Sequence, residues 1–264
     1  MKRLISAFRD GAVRFSRDGC AFMAQSIAFN ALFALFPLVV LFLSAATYIL
    51  PFAQRRTLAF FDEFAPTLHD YIAANLQTYI YGRGITSAIA LAVLLWSGKN
   101  LFMGLAYALD RALDVPKARP LVHNLALSLI MLPVTGVLLI VAVLLPVALS
   151  LGLRIAGVAD PIKVTHFTGY AVSILLVFLV VVVLYRWLPN RGVSWGFAIR
   201  GAVVVSIAWP VVQYAFTQYV THVDFTHVYG ALSAPLVILL WFYCIGSIFL
   251  FGAEYSAAFG SMRR

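Results

Sequence analysis

Six stretches of this chain run on with almost no charged side chain, each close to the length of about 20 helical residues that crosses a bilayer core of about 30 Å. Five of them are uninterrupted: Ser26–Leu50, Leu121–Leu151, Phe167–Tyr185, Gly201–Val220 and Phe225–Ala253. The sixth, Ile85–Leu109, is broken by Lys99-Asn100. The chain is 63% hydrophobic and 11% charged, where a soluble domain has roughly 45–50% and about 25%. That balance leaves too little polar surface for a water-facing fold of 264 residues. Alternating strand patterning is absent, and in lipid a helix satisfies its own backbone. The sequence predicts an all-α polytopic membrane protein with six transmembrane helices and short amphipathic surface helices, forming a single integral membrane domain over residues 1–264. The third stretch is long enough for a tilted or broken helix.

Charge orients the bundle. The net charge of +9 resembles a nucleic-acid signal, but in a membrane protein the placement of Lys and Arg matters more. Lys2, Arg3, Arg9, Arg14 and Arg17 precede the first span. Lys99, Arg111, Lys117 and Arg119 fall at the second connection, Arg186, Arg191 and Arg200 at the fourth, and Arg263-Arg264 at the tail. Fourteen basic residues thus share one side, against Arg55, Arg56, Arg83, Arg154 and Lys163 on the other. The positive-inside rule puts both termini in the cytoplasm, and no removable signal peptide is expected.

Two further segments carry a helical pattern. Leu4, Phe8, Ala12 and Phe15 share a face, with Arg9, Arg14 and Arg17 largely elsewhere. This reads as a basic amphipathic helix on the inner leaflet, or equally as a solvated start to the first span. In the outer connection, Thr67-Leu68-His69-Asp70 resembles a capping box, and short surface helices are expected there. Pro37, Pro133, Pro146, Pro210 and Pro235 fall in apolar stretches, where each removes a helix hydrogen bond.

Ionisable groups in or beside spans cost roughly 2.5–3.5 kcal/mol on insertion scales and so mark candidate sites. Lys99 can snorkel to the inner interface or face the bundle. Arg186 ends the fourth span and Glu254 ends the sixth, so the topology puts all three at similar cytoplasmic depth, where Glu254 is expected to pair with Lys99 or Arg186. Such a pair can lock helix ends, or it can line a mouth for an anionic headgroup, with Arg supplying bidentate phosphate contacts. Asn30 and Gln213 are amides that can bridge helices. Tyr229-Gly230 suits an outer interface.

Enzyme signatures are weak. Cys20 and Cys244 fit no metal or redox spacing. His222, Asp224 and His227 match no zinc pattern, and no Walker loop, nucleophile elbow or dinucleotide fingerprint occurs. No catalytic residue, metal or cofactor is expected, nor a nucleic-acid partner. Nothing sets an oligomeric state.

Several motifs together resemble the YihY/virulence factor BrkB family. They are Gln25-Ser26-Ile27-Ala28-Phe29-Asn30 continuing to Phe36-Pro37, Trp96-Ser97-Gly98 with Tyr107-Ala108-Leu109-Asp110, Leu184-Tyr185-Arg186-Trp187-Leu188-Pro189-Asn190, Gly201-Ala202, Val228-Tyr229-Gly230 and Gly252-Ala253-Glu254. They occur in the family's order across about residues 10–258. Asn30 departs from the pattern, where an aromatic such as tyrosine is expected. The resemblance implies a six-helix bacterial inner-membrane protein, and associations with serum resistance and envelope lipid export. The family's older ribonuclease BN label finds no support in these residues. The expected function is a transporter or flippase-like protein for an amphipathic, anionic envelope molecule, with membrane lipids as partners and Lys99, Arg186, Asn190, Glu254, Asn30 and Tyr229 as substrate-binding candidates. A non-transporting scaffold for envelope assembly is the second reading, and a membrane-bound enzyme the third.

Overall fold

The structure, a computed structural model, describes residues 2–49, 66–115, 121–155, 161–190, 192–223, 225 and 229–261. Seven α-helices account for nearly all of them: α1 Lys2–Arg17, α2 Cys20–Ile49, α3 Pro66–Ala112, α4 Leu121–Ile155, α5 Pro161–Trp187, α6 Trp195–His222 and α7 Ser233–Ser261. A short 3-10 turn, Gly230–Leu232, precedes α7. The protein is thus all-helical among its described residues.

Four helical segments are long and apolar enough to cross a membrane: Cys20–Leu41, Ser87–Ala112, Trp195–His222 and Ser233–Gly260. Val122–Leu138 and Ala171–Trp187 are shorter apolar segments. The four overlap the first, second, fifth and sixth predicted spans with shifted ends, while the two shorter segments overlap the third and fourth without reaching spanning length among the described residues. The last helix starts at Ser233, not near Phe225, because Gly230 adopts φ +53 and breaks the run. Pro235 then sits in the first turn, where a missing N–H costs nothing. The fifth predicted span began at Gly201, whereas α6 begins six residues earlier. There Ser194 caps the helix, its side chain accepting the Phe197 N–H at 3.3 Å. Arg200, predicted in a connection, therefore lies on a helix.

The second half of the predicted outer connection is also helical, but not as separate short pieces. Pro66–Ala112 is one continuous helix. Gly82 and Gly84 weaken it without supplying a stop, since glycine in a helix costs only about 1 kcal/mol. Residues 51–65 lie outside those described.

The described chain forms two compact units, Met1–Phe29 with Lys99–Arg264, and Asn30–Gly98. In the second, Ser97 is buried and its hydroxyl donates to the Val93 carbonyl at 2.8 Å. All packing described below belongs to the first, where α4 packs on α5, α5 on α6, α6 on α7 and α1 on α7.

Helix α7 is the hub, and successive faces of it meet different neighbours. Gly252 meets Gly201 of α6 so closely that a Cβ on Gly252 would stand 2.9 Å from the Gly201 carbonyl oxygen and 2.5 Å from Val205 Cγ2. Tyr185 of α5 lies across this crossing, fully buried, and its hydroxyl donates to the Phe249 carbonyl. A second face carries Gly246, whose Cβ would touch Ala24 of α2 at 3.4 Å. A third meets α1. Phe8 and Phe15 approach Phe251 with ring centroids at 5.0 and 6.4 Å, and a Cβ on Gly11 would stand 3.1 Å from Tyr255 Cα. The N-terminal helix is therefore docked on α7 through Ala7 and Gly11, a packed face that a solvated or merely surface-bound helix does not need.

Small residues at such crossings allow the backbone-to-backbone contact that drives helix association in lipid. Gly252→Ala is expected to lower stability by roughly 1–3 kcal/mol through overpacking, read as an earlier thermal midpoint of the detergent-solubilised protein. Gly104→Ala, in α3 with no atom within 4 Å of the added carbon, should be neutral or stabilising.

Candidate functional site

A hollow of about 470 Å³ opens where α1, the end of α3, the start of α6 and the end of α7 converge. Its polar lining comes from Arg14, Asp114, Ser194, Arg200 and Ser256. Arg14 reaches across from α1 and donates from Nη2 to Asp114 Oδ2 at 3.0 Å. Asp114 itself has φ +50. The Val115 N–H bonds back to Asp110 and the Asp114 N–H to Arg111, which is a Schellman ending with aspartate where glycine is usual. Arg200 lays its guanidinium over the Phe259 ring, 4.9 Å from the centroid. Ser256 is buried and donates to the Phe197 carbonyl at 2.8 Å, tying α7 to the first turn of α6.

Behind the hollow, the connection from α5 to α6 is braced at both ends. Arg186 Nη1 donates to the Val193 carbonyl at 2.7 Å, and its guanidinium stands 5.4 Å from the Trp195 ring centroid. Val193 lines the hollow. The Asn190 backbone N–H donates to Asp110 Oδ1 at 2.6 Å, joining this connection to α3. Leu188 and Pro189 between them are fully buried. Arg186 and Asn190 thus shape the wall of the hollow.

Glu254 does not pair with Lys99 or Arg186 among the described residues. It is fully buried, and its Oε1 accepts from Cys20 Sγ at 3.4 Å. Its Oε2 has no hydrogen-bond partner among the described residues. The reason is helical phase. Ser256 points to α6, and Glu254, two residues earlier, is turned about 200° away from it, on the Gly246 face that looks toward α2. Arg186 is meanwhile occupied with Val193 and Trp195.

Whole-chain comparison supplies the family. The family model described as Virulence factor BrkB matches residues 12–264. The chain belongs to this family. A ribonuclease-like protein, YfkH, of Bacillus subtilis is 26% identical over 250 residues, covering 89% of this chain and 88% of that one. A UPF0761 membrane protein of Alteromonas mediterranea is 26% identical, covering 94% and 85%. Another, of Rhodospirillum centenum, is 26% identical over 98% of this chain but only 58% of its own length. No solved structure matches. The chain is accordingly a BrkB-family membrane protein, whose similar proteins are named mostly as membrane proteins and not as enzymes.

Other candidates in this BrkB-family chain lie apart from the hollow. Lys99 is thirteen residues before Ala112, which lines the hollow, so it sits about 20 Å away along α3. Lys99 lies near the middle of the apolar segment Ser87–Ala112, whereas Arg186 lies in the last turn of α5. Asn30 is half-buried in α2 and belongs to the other unit. Tyr229 is 48% exposed and stacks on Phe225 at 6.2 Å beside the 3-10 turn. His222 Nδ1 lies 2.7 Å from the Gln218 carbonyl, while Asp224 and His227 lie outside the described residues. Among the described residues no cluster of three His, Cys, Asp or Glu could hold a metal.

Reading by charge missed Arg14, Asp114, Arg200 and Cys20 as site residues. Arg200 entered only the topology count and Arg14 only that count and the amphipathic pattern of the first helix, and no spacing links residues 14, 114 and 200. The cap Ser194 before Trp195 was the one local signal available.

Arg17 donates from Nε and Nη2 to both oxygens of Asp18, each at 2.9 Å, at the corner where Gly19 takes φ +71 between α1 and α2. This fork holds the Asp18 carboxyl below its ordinary range. Its contribution to stability is therefore complete above the ordinary aspartate value of about 3.9 and fades as pH falls through the lowered one. Solvent screening keeps the effect small. Asp18→Asn should remove this acid dependence, seen as a flatter profile of thermal midpoint against pH below 4. Arg186→Ala leaves the Val193 carbonyl without its donor and should cost about 1–3 kcal/mol, with faster proteolysis in the α5–α6 connection and a changed Trp195 emission.

Proposed function

We propose that this chain is a transporter or flippase-like protein of the bacterial inner membrane, with six spans and both termini cytoplasmic, that moves an amphipathic anionic envelope molecule. The reading is supported above all by a polar hollow and an apolar groove that share three helices, α1, α6 and α7. The groove, about 690 Å³, is lined by Phe8 of α1, Val204, Ile207 and Val211 of α6, and Phe251 and Tyr255 of α7. On α6, Arg200, Val204, Ile207 and Val211 follow the three- and four-residue spacing of one helix face. A molecule with a charged head and an apolar tail would meet cation and apolar surface in that order along a single stripe.

The basic residues crowd the end of the bundle where the hollow opens, which suits capture from the inner leaflet. Lys99, at mid-helix, offers a further cation on the route through the membrane, and its cost in lipid is a reason to give it work. Arg186, Asn190 and Glu254 hold the surrounding helix ends in place. No ATP-binding motif occurs in the 264 residues, so uphill movement would draw on an ion gradient or a partner protein. The ribonuclease-like name of one relative adds no catalytic constellation to this chain, which we read as a non-enzyme.

Reconstitution into liposomes tests this. Protein-containing vesicles should translocate a fluorescent anionic phospholipid several-fold faster than empty vesicles, and Lys99→Gln should slow that movement while the protein stays folded. Equal rates with and without protein would leave the scaffold reading in its place.

A further inference from the structure

We infer that Glu254 is a proton-binding site, a carboxyl that takes up and releases a proton as transport proceeds, so that the gradient driving movement is one of protons. The coupling rests on the transporter reading above, while the proton site rests on the geometry around Glu254. This carboxyl lies inside the apolar segment Ser233–Gly260 and is 0% exposed. A carboxylate buried in this way needs a cation beside it or a proton on it. No cation pairs with it among the described residues, whose ion pairs are Arg9–Asp10, Arg14–Asp114 and Arg17–Asp18. Oε1 accepts from the Cys20 thiol at 3.4 Å, a weak donor, and Oε2 has no partner among the described residues. One oxygen is therefore left to carry the proton.

The neighbours suit exchange of that proton and not a permanent acid. Asp18, at the corner between α1 and α2, opposes a second negative charge, whereas Arg14 and Arg17 of α1 favour one. Each of these arginines already holds another carboxylate, so neither neutralises Glu254 permanently. Helix α2 contributes Cys20, and α5 contributes Tyr185, whose hydroxyl is already given to the Phe249 carbonyl. Helix α6 meets this stretch of α7 through Gly201 and Val205, which do not ionise. The donor set also selects the ligand. A hard metal cation takes several oxygen ligands, whereas here a single carboxyl faces a sulfur.

Infrared spectroscopy of the full chain in an uncharged detergent reads the site directly. A protonated carboxyl has a carbonyl stretch that a carboxylate lacks. The titration runs between about pH 4 and pH 9, from the ordinary glutamate range to the highest values buried glutamates reach. The expected band is lost in Glu254→Gln, disappears as pH rises and moves in heavy water. Cys20→Ala, which removes the thiol donor, should shift the midpoint of that band, and this assigns it to Glu254 even if Glu254→Gln does not fold. A band absent at every pH means a permanent carboxylate, and one that neither titrates nor exchanges means a permanent acid. Either result overturns the site. Liposomes test the coupling. An imposed pH gradient should speed the movement of a fluorescent anionic phospholipid several-fold, and Glu254→Gln should abolish that response. Movement driven by a sodium gradient and indifferent to a pH gradient would overturn the coupling. A titrating, exchanging band without any lipid movement would sink the transporter reading and leave the proton site intact.

Discussion

The contact on which the rest of the first unit depends is the meeting of two backbones at Gly201 and Gly252. Neither glycine is needed for an unusual φ, since both lie inside helices. They are needed because the carbonyl of each stands 2.9 Å from where the other's Cβ would be. Bringing α6 and α7 together this closely gives van der Waals contact along both helices, which in lipid replaces the hydrophobic drive available in water. Tyr185 then fills the angle between them, its ring 4.8 Å from that of Phe249 and 6.2 Å from that of Phe197. A phenol buried this completely requires an acceptor, and the Phe249 carbonyl supplies it.

From that crossing the hollow follows. The helices touch at Gly201 and Gly252 and are tied again where Ser256 donates to the Phe197 carbonyl, and at this end Arg200 and Ser256 line a cavity that Arg14 and Asp114 border from α1 and the end of α3. The connection between α5 and α6 would otherwise be an ordinary loop. It keeps its shape because Arg186, Asn190 and Asp110 satisfy its polar backbone while Leu188 and Pro189 are buried. Sequence-distant groups thus form one polar wall because close packing elsewhere fixes where the helices diverge.

Helix identity was legible in the residues because charge is excluded from long apolar segments. Helix ends were less so. A search for uncharged runs stops at the first arginine, and for α6 that arginine is Arg200, which lines the hollow. The true start is marked by Ser194, a weaker sign than absence of charge. Glu254 was rightly singled out as a costly group, yet its partner could not be read. Depth along the membrane follows from counting residues, whereas direction around a helix depends on which neighbours that helix acquires. The Cys20 thiol and the Gly246 face settle that direction only once α2 and α7 are packed. The continuous helix from Pro66 shows the reverse case: the capping signal at Thr67 stands within a residue of the helix start, but no strong breaker follows it, so one long helix runs where short ones were expected.

The docking of α1 on α7 has a consequence for biogenesis. Gly11 and Tyr255 touch although 244 positions of chain separate them. During synthesis α1 leaves the ribosome long before α7 is made, and until then its Ala7–Gly11 face lacks the helix it packs on. That face needs other cover in the meantime, so the docking of α1 is a late event in the assembly of this unit.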